Sequence, residues 1–94
     1  MIIRYSRRAA AELDGVLNSI GEQSPQGAAK VKARLLALIA ALPEQPRMGR
    51  LTRKPNVRRV VATPYPYLIF YRATASEIII DSVRHAARRP RSDW

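Results

Sequence analysis

Residues Val57–Pro90 read VRRVVATPYPYLIFYRATASEIIIDSVRHAARRP. Three runs rich in Val, Ile, Tyr and Phe (Val57–Ala62, Tyr67–Ala73 and Glu77–Arg84) are broken by Thr63-Pro64-Tyr65-Pro66 and by Thr74-Ala75-Ser76. β-Branched and aromatic residues favour extended backbone, and both breaks are short enough for hairpin connections. The stretch therefore predicts three consecutive antiparallel strands. The middle run, YLIFY, is apolar on both alternating faces, which predicts a strand at the sheet centre with helices covering at least one side. Six arginines here face only two acids, Glu77 and Asp81, and the last strand runs into a basic tail. A small sheet that is apolar within and positive at its rim suits capture of something large and anionic, or of an acidic partner. It does not suit a small-molecule substrate.

Upstream, Met1–Tyr5 is a short apolar segment that predicts a first strand. Ser6 offers a hydroxyl to the free amides of a helix start. Ala9, Leu13, Val16, Leu17 and Ile20 then recur at spacings of three and four, one face of an amphipathic helix, with Gly21 placed to cap its end. Ser24-Pro25 restarts the pattern as cap and first turn. Ala28, Val31, Leu35, Leu38, Ile39 and Leu42 form the second stripe, which Pro43 stops. Two helices so closely joined predict an antiparallel hairpin. Pro43–Asn56 (PEQPRMGRLTRKPN) holds three prolines, one glycine and four basic residues and reads as a basic loop. The order is β-αα-βββ. It predicts an α+β fold: an N-terminal strand and an antiparallel helical hairpin packed on a small antiparallel sheet.

The 94 residues form one domain, with the hairpin over about 6–42, the basic loop over 43–56, and the sheet and basic tail over 57–94. With no cysteine there is no disulfide framework and no thiolate metal site. Apolar runs are far shorter than the roughly 20 residues of a membrane-spanning helix. The start, MIIRYSRRAA, lacks the apolar core of a signal peptide. These features predict a cytoplasmic protein that does not use a membrane. The net charge of +10 is polarised. Residues 1–46 carry six Lys/Arg against four acids (+2), and residues 47–94 carry eleven against three (+8). Nucleic acid, a ribosome or an acidic protein all match such a surface.

Chemistry has few candidates. His85 is the one histidine, set between Arg84 and Arg88, with no carboxylate close in sequence to orient it and no His or Cys to complete a metal site. The serines lack nucleophile-elbow glycines, the seven acids are scattered, and no Gly-rich phosphate loop occurs. No metal and no cofactor are expected. Arginine and tyrosine chemistry remains: Arg58, Arg59, Arg72, Arg84, Arg88, Arg89 and Arg91 could hold phosphate, and Tyr65, Tyr67 and Tyr71 could stack on a base. Tyr67 and Tyr71, evenly spaced on the central strand, are expected mostly in the core. Tyr65, between two prolines, is expected to be exposed.

Taken together, the β-αα-βββ order, the helix opening SRRAAAELDGV, the Pro-x-x-Gly-Arg of Pro46–Arg50, VRRVVATPYPYLIFYRA and the ending VRHAARRP resemble the RelE/ParE superfamily of toxins from bacterial type II toxin–antitoxin modules. The resemblance spans nearly the whole chain. It implies one of two activities: ribosome-dependent mRNA cleavage, as in RelE-type members, or poisoning of DNA gyrase, as in ParE-type members. The chain departs from the RelE pattern where an arginine is replaced by Leu68, where a second falls at or near Ala86, and where the terminal catalytic tyrosine has no clear equivalent, although Trp94 closes the chain. Arg59 matches a basic RelE position. The ending His85-Ala86-Ala87-Arg88-Arg89 is similar to the His-Gly-x-Arg ending of ParE-like members.

The ParE-like reading expects a non-enzymatic inhibitor of gyrase. Its target contacts are expected at Arg50, Arg53, Lys54, Arg59, Tyr65, Arg84, His85, Arg88, Arg89 and Arg91. The alternative, a metal-independent endoribonuclease acting on mRNA at the ribosome, would draw on Arg58, Arg59, Arg72, His85 and Arg88. The resemblance also implies an acidic antitoxin (ParD- or RelB-like) in a hetero-oligomeric complex. Its amphipathic segment is expected on a groove along Leu13, Leu17, Leu35 and Ile39, with Arg58 and Arg72 meeting its charge.

Overall fold

The computed structural model describes residues 1–87. Ser6 separates strand β1 (Ile2–Tyr5) from helix α1 (Arg7–Gln23), and its hydroxyl accepts the Ala9 amide at 2.9 Å, the N-cap anticipated from sequence. Ser24 does double duty. Its own N–H donates to the Ile20 carbonyl at 2.8 Å, closing α1, and its hydroxyl accepts the Gly27 amide at 2.9 Å, opening α2 (Pro25–Ala41). Gly21 therefore does not cap α1, which continues to Gln23. A residue whose backbone closes one helix and whose side chain opens the next leaves no need for a left-handed glycine.

The sheet holds five strands in the order β1-β5-β4-β3-β2, where β2 is Arg50–Leu51, β3 Arg58–Val61, β4 Tyr67–Ala73 and β5 Glu77–His85. β4 is central, as the two-faced apolar run required. The sheet is mixed rather than purely antiparallel, because β1 pairs parallel with β5, Ile3 opposite Ile78 and Tyr5 opposite Ile80. Without β1, the nine-residue β5 would be an edge strand with a row of open backbone groups beside its isoleucines. The intervening helices and strands supply the long crossover that a parallel pair needs. The two-residue β2, inside the segment read as loop, is too short to leave a strand pattern in the sequence.

Both helices cover one face of the sheet. Leu35, Ile39 and Leu42 of the α2 region meet Ile69 and Tyr71 of β4 and Ile78, Ile80 and Val83 of β5, all at 2% exposure or less. This places Leu35 and Ile39 inside the core rather than on an open groove, a correction to the expected antitoxin-binding row. Leu13 and Leu17 of α1 are half-buried against the same cluster. Aliphatic residues of a two-helix layer are taken up by the sheet first, because burial of each large side chain contributes about 1.5–3 kcal/mol.

A bulge interrupts the β4–β5 register between Phe70 and Tyr71. The backbone it frees is satisfied from α1. Asp81 O accepts the Ser6 hydroxyl at 3.0 Å and Arg8 Nε at 3.4 Å. Glu12 Oε1 accepts the Ser82 hydroxyl at 2.6 Å and the Val83 amide at 3.2 Å. The bulge thus docks the first turns of α1 onto the sheet with polar contacts as well as packing.

Candidate target interface: a basic edge pinned to the central strand

The Pro46–Arg50 segment is fixed by one tyrosine. Tyr71, fully buried on β4, accepts the Gly49 amide on its hydroxyl at 2.9 Å and donates that hydroxyl to Pro46 O at 2.9 Å. Gly49 has to be glycine for reasons of space. A Cβ there would lie 2.8 Å from Tyr71 Cε1, 2.8 Å from its Oη and 3.0 Å from the Arg59 carbonyl oxygen. Arg58, the cross-strand neighbour of Tyr71, donates from Nη1 to Gly49 O at 2.8 Å and more weakly to Arg47 O at 3.5 Å. The turn that follows is held by Thr52, whose hydroxyl donates to Val57 O at 2.9 Å and accepts the Lys54 amide at 3.2 Å. Asn56 takes a left-handed conformation (φ 66°), which its short amide side chain tolerates better than most residues.

This scaffold sets out a row of cations. Arg47, Arg50, Arg53 and Arg59 are exposed and Lys54 is half-buried. Arg50 of β2 stands directly opposite Arg59 of β3, and with Met48, Val60 and Val61 the two line an open recess. Among the described residues neither is paired with a carboxylate; the ion pairs lie elsewhere, Arg4 with Glu77 and Arg72 with Asp81. Like charges directly across a strand pair repel, so this is an edge that an external anion would relieve.

Among the described residues the expected ribonuclease groups do not converge. Arg72 makes a two-pronged contact with Asp81, Nε to Oδ2 at 2.9 Å and Nη2 to Oδ1 at 3.2 Å, and that hydrogen bond raises the guanidinium's pKa above its ordinary value. Arg58 is spent on the loop carbonyls. Arg72 lies opposite Ile79, whereas His85 ends the same strand six residues on, about 20 Å away at the rise of a β-strand. His85 is exposed, its Nδ1 accepts the Ala87 amide at 3.0 Å, and its ring meets Tyr67 edge-on at 5.3 Å. Arg58 and Arg72, expected to meet an antitoxin, are in this way engaged within the chain.

Of the expected target contacts, Arg50, Arg53, Lys54 and Arg59 share the basic edge. Arg84 does not: it is 5% exposed, with its guanidinium 5.9 Å from the centre of the Phe70 ring. Tyr65 is half-buried against the core rather than exposed. Arg88, Arg89 and Arg91 lie outside the described residues. The sequence reading missed Tyr71 as an anchor and Glu12 as the ligand of the bulge. The glycine of Pro46-x-x-Gly-Arg was the one visible sign of the first; nothing in the sequence marked the second.

Comparison with known proteins agrees with this fold. The profile of the ParE toxin of the parDE type II toxin–antitoxin system matches residues 3–90. Toxin RelE2 of Caulobacter vibrioides is 37% identical over 84 residues, 89% of this chain and 93% of that protein. A chain of the chromosomal ParDE system of P. aeruginosa superposes with a TM-score of 0.80 at 24% identity, over 90% of this chain and 95% of the other. A chain of the intact E. coli RelBE toxin–antitoxin complex gives 0.65 at 19% identity, over 93% and 98%. Both structural matches have the same α+β fold. No helix among the described residues is long and apolar enough to cross a membrane.

Proposed function

The chain belongs to the ParE toxin family of type II toxin–antitoxin systems, and we propose that it arrests bacterial growth by poisoning DNA gyrase and is neutralised by a cognate acidic antitoxin. In this reading the toxin is not itself a catalyst. It stabilises the cleaved DNA–gyrase complex through contacts of its basic surface. The observation that carries the proposal is the dispersal, among the described residues, of the would-be ribonuclease groups: Arg72 is committed to Asp81, Arg58 to Gly49 O, and His85 stands at the far end of β5. A phosphoryl-transfer site needs its charge-stabilising groups converged on one phosphate, and each missing donor costs about 2.7–4 kcal/mol of transition-state stabilisation. A gyrase poison needs only a complementary surface, which the Arg50–Arg59 edge provides.

The antitoxin follows from family membership and from charge. An acidic segment would associate quickly with a +10 chain and cover its cations. Leu13 and Leu17, half-buried on α1, are the aliphatic positions of the expected row still within reach of such a segment. The competing reading, RNA cleavage at the ribosome, draws its support from the relative named RelE2.

The test is pulse-labelling of a bacterial host after induction of the chain without antitoxin. Early failure of DNA synthesis with chromosome breaks is expected. Early collapse of protein synthesis over intact DNA would favour the ribonuclease reading instead.

A further inference from the structure

We propose that Arg50 and Arg59 form a clamp for the backbone phosphates of duplex DNA, held in shape by Tyr71 and Gly49. The inference rests on the gyrase reading, in which the toxin's target is a DNA-bearing complex, and it assigns the DNA contact to one pair of residues. Three observations lead to it. The two arginines come from adjacent strands in direct register, so their Cβ atoms stand about 5 Å apart. They line one recess, and neither is paired with a carboxylate among the described residues. Their spacing is enforced, because the Gly49 backbone that precedes Arg50 sits against both the Tyr71 ring and the Arg59 carbonyl.

Two exposed guanidiniums side by side repel in the free protein, and a shared phosphate removes that repulsion. Arginine also matches phosphate oxygens in a forked geometry that lysine lacks. The other walls of the recess, Met48, Val60 and Val61, are aliphatic and carry no aromatic ring. Single-stranded nucleic acid is gripped by stacking bases on exposed aromatic side chains. The rings beside it, Phe70 directly opposite Arg59 and Tyr71 against Gly49, are both buried. A cationic recess with aliphatic walls and no stacking platform fits duplex backbone rather than unpaired RNA. Arg47 and Arg53, exposed on the same loop, would extend the contact along the strand. Tyr71 and Gly49 are positioning residues: they touch no ligand and fix where Arg50 stands.

The experiment is fluorescence anisotropy of a labelled 20-base-pair duplex with the full chain free of antitoxin and with no gyrase present, over a salt series. Loss of two phosphate contacts in R50Q/R59Q should reduce the slope of log K against log salt by about 2 and weaken binding about 50-fold near 0.1 M salt. K30Q/K32Q removes the same charge from exposed positions on α2 and should leave the slope unchanged. Y71F keeps every charge yet should weaken duplex binding several-fold in protein that is still folded by circular dichroism. The clamp is overturned if R50Q/R59Q and K30Q/K32Q lose affinity equally, which would mean diffuse net charge. Preference for single-stranded RNA or for an acidic peptide over the duplex overturns it as well. Because gyrase is absent, a failure here is separate from a failure of gyrase poisoning, which the labelling experiment reads.

Discussion

Replacing Gly49 by alanine adds one methyl group and should be among the most damaging small changes available to this chain. The new Cβ would sit 2.8 Å from Cε1 and from the hydroxyl oxygen of Tyr71 and 3.0 Å from the Arg59 carbonyl oxygen. None of these can retreat cheaply, since Tyr71 is fully buried on the central strand and the carbonyl belongs to β3. Overpacking of this kind costs about 1–3 kcal/mol. If the loop lifts instead, the Gly49 amide and the Pro46 carbonyl lose the Tyr71 hydroxyl, and an unsatisfied buried group costs about 1–3 kcal/mol. Either route, at about 1–3 kcal/mol, corresponds to a fall in Tm of roughly 5–25 °C for a domain of this size. Thermal unfolding followed by circular dichroism reads it directly. Gly15 is the internal control: it lies within α1 with nothing within 4 Å of its would-be Cβ, so Gly15→Ala should stabilise by about 0.5–1 kcal/mol. Equal melting temperatures for Gly49→Ala and the parent would refute the reasoning that the loop is pinned by close approach to Tyr71.

Ser24→Ala removes the hydroxyl that caps α2 and should cost about 1 kcal/mol in urea unfolding, with no loss of growth inhibition. Leu35→Ala opens a cavity in the core and should cost about 2–5 kcal/mol, whereas Leu13→Ala, half-buried, should cost clearly less in the free chain and show its larger effect in antitoxin affinity measured by calorimetry. His85→Ala should leave toxicity within about threefold in an induction-and-plating assay, against the 10²–10⁴-fold loss expected of a general base. Antitoxin binding should raise the melting temperature of the toxin in proportion to occupancy, and identical melting curves with and without it would contradict a specific complex.

What the sequence disclosed, and what it withheld, divides along physical lines. Periodicity and capping residues located α1, α2 and the three C-terminal strands, because those elements are long and locally determined: Ser6 and Ser24 act as caps, and the YLIFY run lies at the sheet centre. Pairing across the chain was less visible. The parallel seat of β1 beside β5 depends on which edge of a finished sheet needs covering, and the Arg50–Leu51 strand exists because Tyr71 holds its loop down. Charge counting found the basic half but could not separate arginines that face solvent from those committed inside. Arg50 and Arg59 proved exposed, whereas Arg58, Arg72 and Arg84 were claimed by carbonyls, by Asp81 and by the Phe70 ring. Local sequence carries no mark of such long-range partners, which is why half-legible sites are made of residues whose types were right and whose orientation was not.

Purified toxin should be mixed with gyrase, ATP and supercoiled plasmid, and in parallel with ribosomes translating a defined mRNA. Accumulation of linear DNA covalently held by gyrase, with the mRNA left whole, is the expected result. Cleaved mRNA alongside undisturbed supercoiling would contradict the assignment of this chain as a non-enzymatic gyrase poison.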